Sequence, residues 1–509
     1  MTAADTRMVR GAFAVVIGLV LLRLAASAWT PLTFDEAYYW MWSKHLAGGY
    51  YDHPPMVAVV IRLGTLIAGD TPFGVRLFSV LLTLPMSWAI FRAAELLFGG
   101  KRIAVSAMLL LNATMIASVG LMIVTPDAPL LVASSFVLLA LAQVAATGRG
   151  VWWLAVGVAV GLALLSKYTA LFFGAAILIW LVVVPKMRRW LISPWPYLGG
   201  LTAFAVFSPV LFWNADHQWV SFIKQLGRAR IEQFKAAYIA ELIPTQFAFA
   251  TPLVFILGTM GLYALARRQS GALSSRVLVS AMVWVIALYF AWHALHARVE
   301  ANWFAPVYPA FAIAAAVAAT MVQWRGRAQR TVDICLRWAT SVGAVMFVAL
   351  VVQANTGLLS GYKRDATVRS VGVGFPELAA EIEAVRQRTG ATCILAPDYG
   401  TTSWLAFYLP KGTCVAQRGQ RIRWINMPEP STADLAGKLL LVAPPGLMAD
   451  PEWRDAFSRV EKVAELQRRR GPLVIEDVQL DLLEGPTGEV LDRSLPPELG
   501  GGQENRRQH

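Results

Sequence analysis

Residues 103–166, IAVSAMLLLNATMIASVGLMIVTPDAPLLVASSFVLLALAQVAATGRGVWWLAVGVAVGLALLS, contain only two charged side chains, Asp127 and Arg149. A helix needs about 20 apolar residues at 1.5 Å each to cross a bilayer. This stretch therefore reads as three spans, with turns at Thr125-Pro126-Asp127 and Thr147-Gly148-Arg149-Gly150. Further apolar runs lie at 168–185, 190–215, 242–266, 277–292, 301–324 and 338–362. Segments 11–29, broken by Arg23, and 72–98 bring the expected total to about eleven spans. The composition agrees: 57% of the 509 residues are hydrophobic and 15% charged, with a mean hydropathy of +0.53. A soluble or disordered chain is excluded, and three cysteines exclude a disulfide scaffold or a multi-cysteine metal site. The net charge of +13 is spread between the spans, so nucleic acid is not an expected partner.

Alternate loops sort by charge. Arg7, Arg10, Lys101, Arg102, Arg149, Lys186 and Arg267 share the richer side with the basic runs near 188, 276 and 325–330, which makes that side cytoplasmic. The other face carries about half as many cations, among them Lys44, Lys167, Lys224, Arg228, Arg230, Lys235 and Arg298. It also holds His45, His53, His217, His293 and His296, and the acids Asp35, Glu36, Asp52, Asp127, Asp216 and Glu300. Candidate chemistry thus collects at the outer ends of the spans. A transporter or flippase, the competing class, would place such groups near the bilayer midplane on broken helices.

Residues 1–362 form the expected membrane domain, with a first outer loop at 30–71. After Tyr362 the composition turns soluble, and 363–495 read as a small α/β domain placed outside by the odd span count. Its expected elements are strands at 393–397, 414–417, 439–442 and 473–483 with helices at 402–409 and 451–466. Residues 496–509 read as a disordered tail. Cys393 and Cys414 begin two adjacent strands and are compatible with a disulfide; Cys335 should stay free.

Within the first outer loop, Thr33 and Glu36 have capping-box spacing, which gives Glu36 a structural task and leaves Asp35 without one. Tyr38, Tyr39 and Trp42 follow as an aromatic surface suited to a sugar or to the membrane interface. Tyr51-Asp52-His53-Pro54-Pro55 aims a helix N-terminus, which suits a phosphate, at the same outer surface. Asp127 opens a span, Lys167 interrupts two, and Arg23 lies inside one at a cost that marks it as functional. His293 and His296 with Glu300 invite a zinc reading but lack a fixed further ligand. The stretch 214–244 reads as a basic interfacial helix, its cations facing anionic lipid or a lipid-linked phosphate.

Together these motifs resemble the GT-C membrane glycosyltransferases, in particular the bacterial protein-O-mannosyltransferase-like and aminoarabinose-transferase-like group. The resemblance rests on Asp35-Glu36-Ala37-Tyr38-Tyr39-Trp40, Tyr51-Asp52-His53-Pro54-Pro55, Thr125-Pro126-Asp127-Ala128-Pro129, Ser166-Lys167-Tyr168 and Arg298-Val299-Glu300-Ala301-Asn302-Trp303. It implies a GT-C fold and transfer of a sugar from a polyprenyl-phosphate carrier to a lipid, glycan or protein acceptor. The expected setting is the outer face of a bacterial inner membrane, with the N-terminus cytoplasmic and the C-terminal domain periplasmic. Asp35, Glu36 and Asp127 are the catalytic candidates. Arg23, His53, Lys167 and Arg298 form the pool for the donor phosphate. Tyr38, Tyr39, Trp42, Asp52, His217, Glu300 and Asn302 are expected to line the substrate. The aminoarabinose branch usually has lysine where this chain has His53. Asp35 is the expected general base and the transfer an inverting displacement. No cofactor is required; a divalent cation is left open and no metal ligand is assigned.

Overall fold

The computed structural model describes residues 2–228, 234–235, 237–358 and 369–495. Arg230 and the expected tail 496–509 lie outside the described residues. By internal packing the chain forms two units. One comprises Met1–Ser27, His53–His217 and Arg228–Ala349; the other comprises Ala28–Asp52, Gln218–Gly227 and Leu350–His509.

The first unit is helical. Among the described residues, seven helices are long and apolar enough to cross a membrane, and ten spans result if each of three sharply bent helix pairs counts as one. The eleventh expected span is the helix Trp152–Ser166, whose 15 residues reach about 22 Å, short of a hydrocarbon core of roughly 30 Å. Within the opening stretch, the first expected span breaks into Lys101–Asn112 and Met115–Met122, bent by 53°. Polar Asn112 and Thr114 cause the break. The Thr114 hydroxyl accepts from the Ala117 amide and caps the second half. The carbonyl of Asn112 accepts from Arg23 Nη2 at 3.0 Å, and its side-chain oxygen from Arg23 Nη1 at 3.2 Å. Asn112 in turn donates to Ser87 Oγ at 2.8 Å. The charge inside the first span is thus solvated by a helix end, which makes its burial tolerable.

Close helix contact depends on missing side chains. A Cβ at Gly157 would stand 2.2 Å from the carbonyl oxygen of Gly199, and one at Gly199 would stand 2.5 Å from that of Trp153. This backbone approach packs Trp152–Ser166 against Pro194–Asp216, as small residues commonly do between membrane helices.

In the second unit a five-stranded sheet has the order β2-β1-β3-β5-β4, with β1 Cys393–Ala396, β2 Cys414–Gln417, β3 Leu439–Ala443, β4 Phe457–Arg470 and β5 Leu473–Pro486. β2, β1 and β3 are parallel; β5 and β4 run as an antiparallel hairpin. The uniformly apolar β1 and β3 are buried along their whole length, as strands covered on both faces should be. Cys393 pairs with Cys414 in register, and the two form a disulfide across a Cα separation of 4.6 Å. Cys335 is free and buried.

The expected helix at 451–466 is a misreading. Only Pro451–Arg454 is helical; a turn follows at Asp455 and Ala456, and from Phe457 the chain belongs to β4. Phe457, Val460, Val463 and Ala464 fall at helix-like intervals in the sequence, yet the segment pairs with β5, with a register shift between Lys462 and Ala464. A further helix, Phe375–Thr389, was not anticipated; it ends at Gly390, which takes the left-handed conformation at φ 68°.

Candidate active site

The first-loop helix Phe34–Lys44 opens on Thr33 with the expected capping box: Thr33 N–H donates to Glu36 Oε2 at 2.9 Å and Glu36 N–H to Thr33 Oγ1 at 3.2 Å. The chain ahead of it is fastened to the C-terminal part of the same unit. Gly372 N–H and Trp404 Nε1 both donate to the Leu32 carbonyl, at 2.9 and 3.0 Å.

Asp35, one position before Glu36, is half-buried and accepts from the Tyr399 hydroxyl at 3.0 Å. That phenol is its one hydrogen-bond donor among the described residues. Burial pushes the Asp35 carboxyl up to about 6, reinforced by Asp52 and Glu36; the Tyr399 hydrogen bond and Arg423 pull the other way without cancelling it.

Asp52 is held differently. It accepts from the Tyr38 hydroxyl at 2.8 Å and from Arg423 Nη1 at 2.7 and 2.8 Å, and it pairs with Lys224. The Lys224 ammonium also sits 4.0 Å from the Tyr51 ring centroid. Burial opposes the Arg423 charge, but Asp52 and Tyr38 outweigh it and raise its pKa. Lys224, expected to face lipid, is buried: the helix Val220–Arg228 turns it onto Asp52.

The aromatic residues between these acids are packed on one another. Trp42 is fully enclosed and stacks on Tyr50 at 4.1 Å, while Tyr38 contacts Trp42 and Tyr399, each at 5.0 Å. Tyr39 closes on Trp42 at 4.9 Å. Burial raises the phenols of Tyr38 and Tyr39 well above their usual value, so both stay neutral donors.

A second acidic cluster belongs to the helical unit. Asp127 begins the helix Asp127–Thr147, and both its oxygens accept from Lys167 Nζ, at 2.7 and 2.8 Å. Asn302, in the short 3₁₀ helix Ala301–Val307, donates to the same carboxylate at 2.6 Å. Asp127 and Lys167 are both buried.

The other candidates have separate places in the helical unit. Arg23 is enclosed by Thr83 and Asn112. Arg298 is exposed and donates to Glu241 at 2.9 Å. His217 stacks on Trp213 at 4.3 Å, Glu300 is exposed at the start of Ala301–Val307, and His53 is half-buried. Among the described residues no three His, Cys, Asp or Glu side chains gather as a metal-binding group, so the zinc reading of His293, His296 and Glu300 finds no ligand set there.

Sequence reasoning missed Tyr399 and Arg423. Both lie in the C-terminal domain more than 350 residues from Asp35 and Asp52, with separations of 364 and 371. No local spacing signals such a meeting.

Comparison with known proteins agrees with this architecture. The family model for dolichyl-phosphate-mannose-protein mannosyltransferases matches residues 52–213. The lipid A galacturonosyltransferase RgtD of Rhizobium johnstonii is 28% identical over 324 residues, an alignment that takes in 60% of this chain and 65% of the relative. ArnT of Cupriavidus metallidurans bound to undecaprenyl phosphate superposes with a TM-score of 0.64 at 16% identity, covering 92% of this chain and 98% of that one. Its apo state gives 0.63 at 16% identity, with 94% and 98% covered. The superposition shows an ArnT-like fold, and the two sequence matches show similarity to membrane glycosyltransferases over part of the chain, the relative being matched over less than two thirds of its own length.

Proposed function

We propose that this protein moves a sugar from a polyprenyl-phosphate carrier to an acceptor hydroxyl at the outer face of the inner membrane, with Asp35 as general base. The observation that carries the reading is how Asp35, Glu36, Asp52 and Asp127 are held. Glu36 is committed to its cap, while Asp52 and Asp127 are each bound by cations. Asp35 meets a neutral phenol, and its raised proton affinity suits a base working near neutrality.

In the proposed step Asp35 takes the proton from the acceptor hydroxyl. The acceptor oxygen bonds to the anomeric carbon, whose bond to the phosphate oxygen breaks. The lipid phosphate leaves with the electron pair, and the configuration at that carbon inverts. Cations must hold the departing phosphate, and Arg23, His53, Lys167 and Arg298 are the pool proposed for it. Of that pool Arg23, Lys167 and Arg298 each already serve a protein acceptor, Asn112, Asp127 and Glu241 respectively.

Lipid A is the first acceptor to test, because the galacturonosyltransferase relative carries that acceptor in its name. The loop charge supports a cytoplasmic N-terminus, and the Cys393–Cys414 disulfide, which fits an oxidising compartment, supports an external C-terminal domain. Incubating the purified full-length protein with undecaprenyl-phosphate galacturonic acid and lipid A, with mass spectrometry of the product, tests the transfer. A panel of other undecaprenyl-phosphate sugars extends it. Asp35→Asn should abolish the product peak; undiminished product from that variant removes Asp35 as base.

A further inference from the structure

The C-terminal domain does more than cap the first-loop helix: two of its side chains end among the acids of that loop. Tyr399 stands at the start of the helix Tyr399–Tyr408, which follows β1, and Arg423 lies in the 3₁₀ turn Arg421–Trp424, which follows β2. Both therefore issue from neighbouring parallel strands joined by the disulfide. Asp398, immediately before Tyr399, caps that helix by accepting from the Thr401 amide at 2.9 Å, which fixes where Tyr399 leaves the backbone.

The two side chains act as one unit. The Arg423 guanidinium lies over the Tyr399 ring, 4.8 Å from its centroid, and bonds both oxygens of Asp52. The far end of the same ring donates its hydroxyl to Asp35. A chain of contacts thus runs Asp52, Arg423, Tyr399, Asp35. The guanidinium pulls electron density toward the ring face and makes the phenol a better donor, while the hydrogen bond fixes Asp35 Oδ1 and leaves Oδ2 to accept a proton.

We propose that Tyr399 and Arg423 are positioning residues of the transfer site, orienting the Asp35 carboxylate and setting the pH at which it accepts a proton. The proposal rests on the reading of Asp35 as base and extends it, assigning the C-terminal domain a part in the chemistry. The charged and titratable groups around Asp35 are Glu36 and Tyr39 on its own helix, Asp52 at the end of the loop, and Tyr399 and Arg423 from the domain. The two acids favour its protonated form; Tyr399 and Arg423 favour the carboxylate. Removing either of the latter should therefore move the Asp35 titration upward.

The test needs no sugar. Full-length protein in detergent is treated with a water-soluble carbodiimide and an amine, which modify protonated carboxyls, from about pH 4 to about pH 8, and the Asp35 peptide is quantified by mass spectrometry. Tyr399→Phe, which keeps the ring and removes one oxygen, should raise the labelling midpoint by about one pH unit. Arg423→Gln should raise it as well, and Arg423→Lys should restore most of the difference. A midpoint unmoved by Tyr399→Phe, in protein that melts like the wild type, overturns the proposal; that variant decides the matter even where Arg423→Gln does not fold. The acid limb of turnover should shift with the labelling midpoint. Full turnover by Asp35→Asn would remove the base assignment while leaving the labelling result intact, so the two readings fail separately.

Discussion

Asp35 and Asp127 are carboxylates placed in the opening turn of a helix, and the protein treats them in opposite ways. Asp127 has Lys167 across both oxygens and Asn302 beside it. Asp35 has one phenol at 3.0 Å, and the nearest guanidinium is spent on Asp52. A cation in contact stabilises the carboxylate and weakens it as a base, whereas a neutral donor in a half-buried setting orients the group while leaving it basic. The chemistry of a helix-opening aspartate is decided by what meets it, which its position in the chain does not reveal.

The largest effect expected from this contrast is on turnover. Asp35→Asn should lower the rate by about 10²- to 10⁴-fold, the scale of a lost general base, with the fold intact by circular dichroism and gel filtration. Asp127→Asn should act mainly through stability and donor affinity. A fully active Asp35→Asn beside a dead Asp127→Asn would reverse the two roles.

The second effect concerns Lys167→Met. Removing the cation strands a buried carboxylate, and breaking such a pair costs about 3–5 kcal/mol. Thermal unfolding of the purified variant should fall sharply. The double variant Lys167→Met with Asp127→Leu, which leaves no charge behind, should recover much of that loss. Failure of the double variant to recover would mean that the pair does more than neutralise itself.

How far the sequence anticipates all this follows from the range of each interaction. The helical character of the membrane unit, the capping box on Glu36 and the Cys393–Cys414 pairing rest on local pattern or on strands close in sequence, and each is present. The helix Phe375–Thr389 was equally legible, with Pro376 in its first turn, apolar residues at 375, 378, 379, 382 and 385, and Gly390 at its end. β4 was not, because its apolar residues fall at helix-like intervals and only pairing with β5 resolves it. Tyr399 and Arg423 could not be reached at all. Their meeting with the first loop is a property of the folded unit, and neither Pro397-Asp398-Tyr399 nor Arg421-Ile422-Arg423-Trp424 has a spacing that announces it.

The third prediction sharpens the comparison through pH. Since the folded carboxyl of Asp35 titrates near 6, against 3.8 for an ordinary aspartate, ionising it is harder in the native state than in the unfolded one. Its contribution to stability is therefore lost as pH rises from about 3.8 through about 6, and turnover should rise over the upper part of the same window as the base forms. Asp35→Asn should accordingly melt close to wild type at low pH and above it at pH 7. A lower melting temperature than wild type at pH 7 would mean that the carboxylate stabilises the fold, which contradicts its raised titration.

The smallest effect is expected where the same kind of ion pair meets solvent. Arg298 and Glu241 are joined at 2.9 Å, much as Lys167 and Asp127 are, yet their side chains are 61% and 42% exposed against 9% and 3%. Water and salt screen an exposed pair, and ordering two long side chains offsets most of the remaining attraction, so such pairs contribute about 1 kcal/mol or less. Arg298→Ala should shift thermal unfolding slightly at low ionic strength and negligibly in high salt, while Lys167→Met stays destabilised in both. Burial, and not the presence of a partner, would then be what separates the two pairs. The same variant also tests Arg298 as a donor-phosphate contact. An unchanged KM for the polyprenyl-phosphate donor would leave the arginine a surface partner of Glu241, whereas a rise of tenfold or more with an unaltered melt would show that it leaves Glu241 to hold the phosphate when the donor arrives.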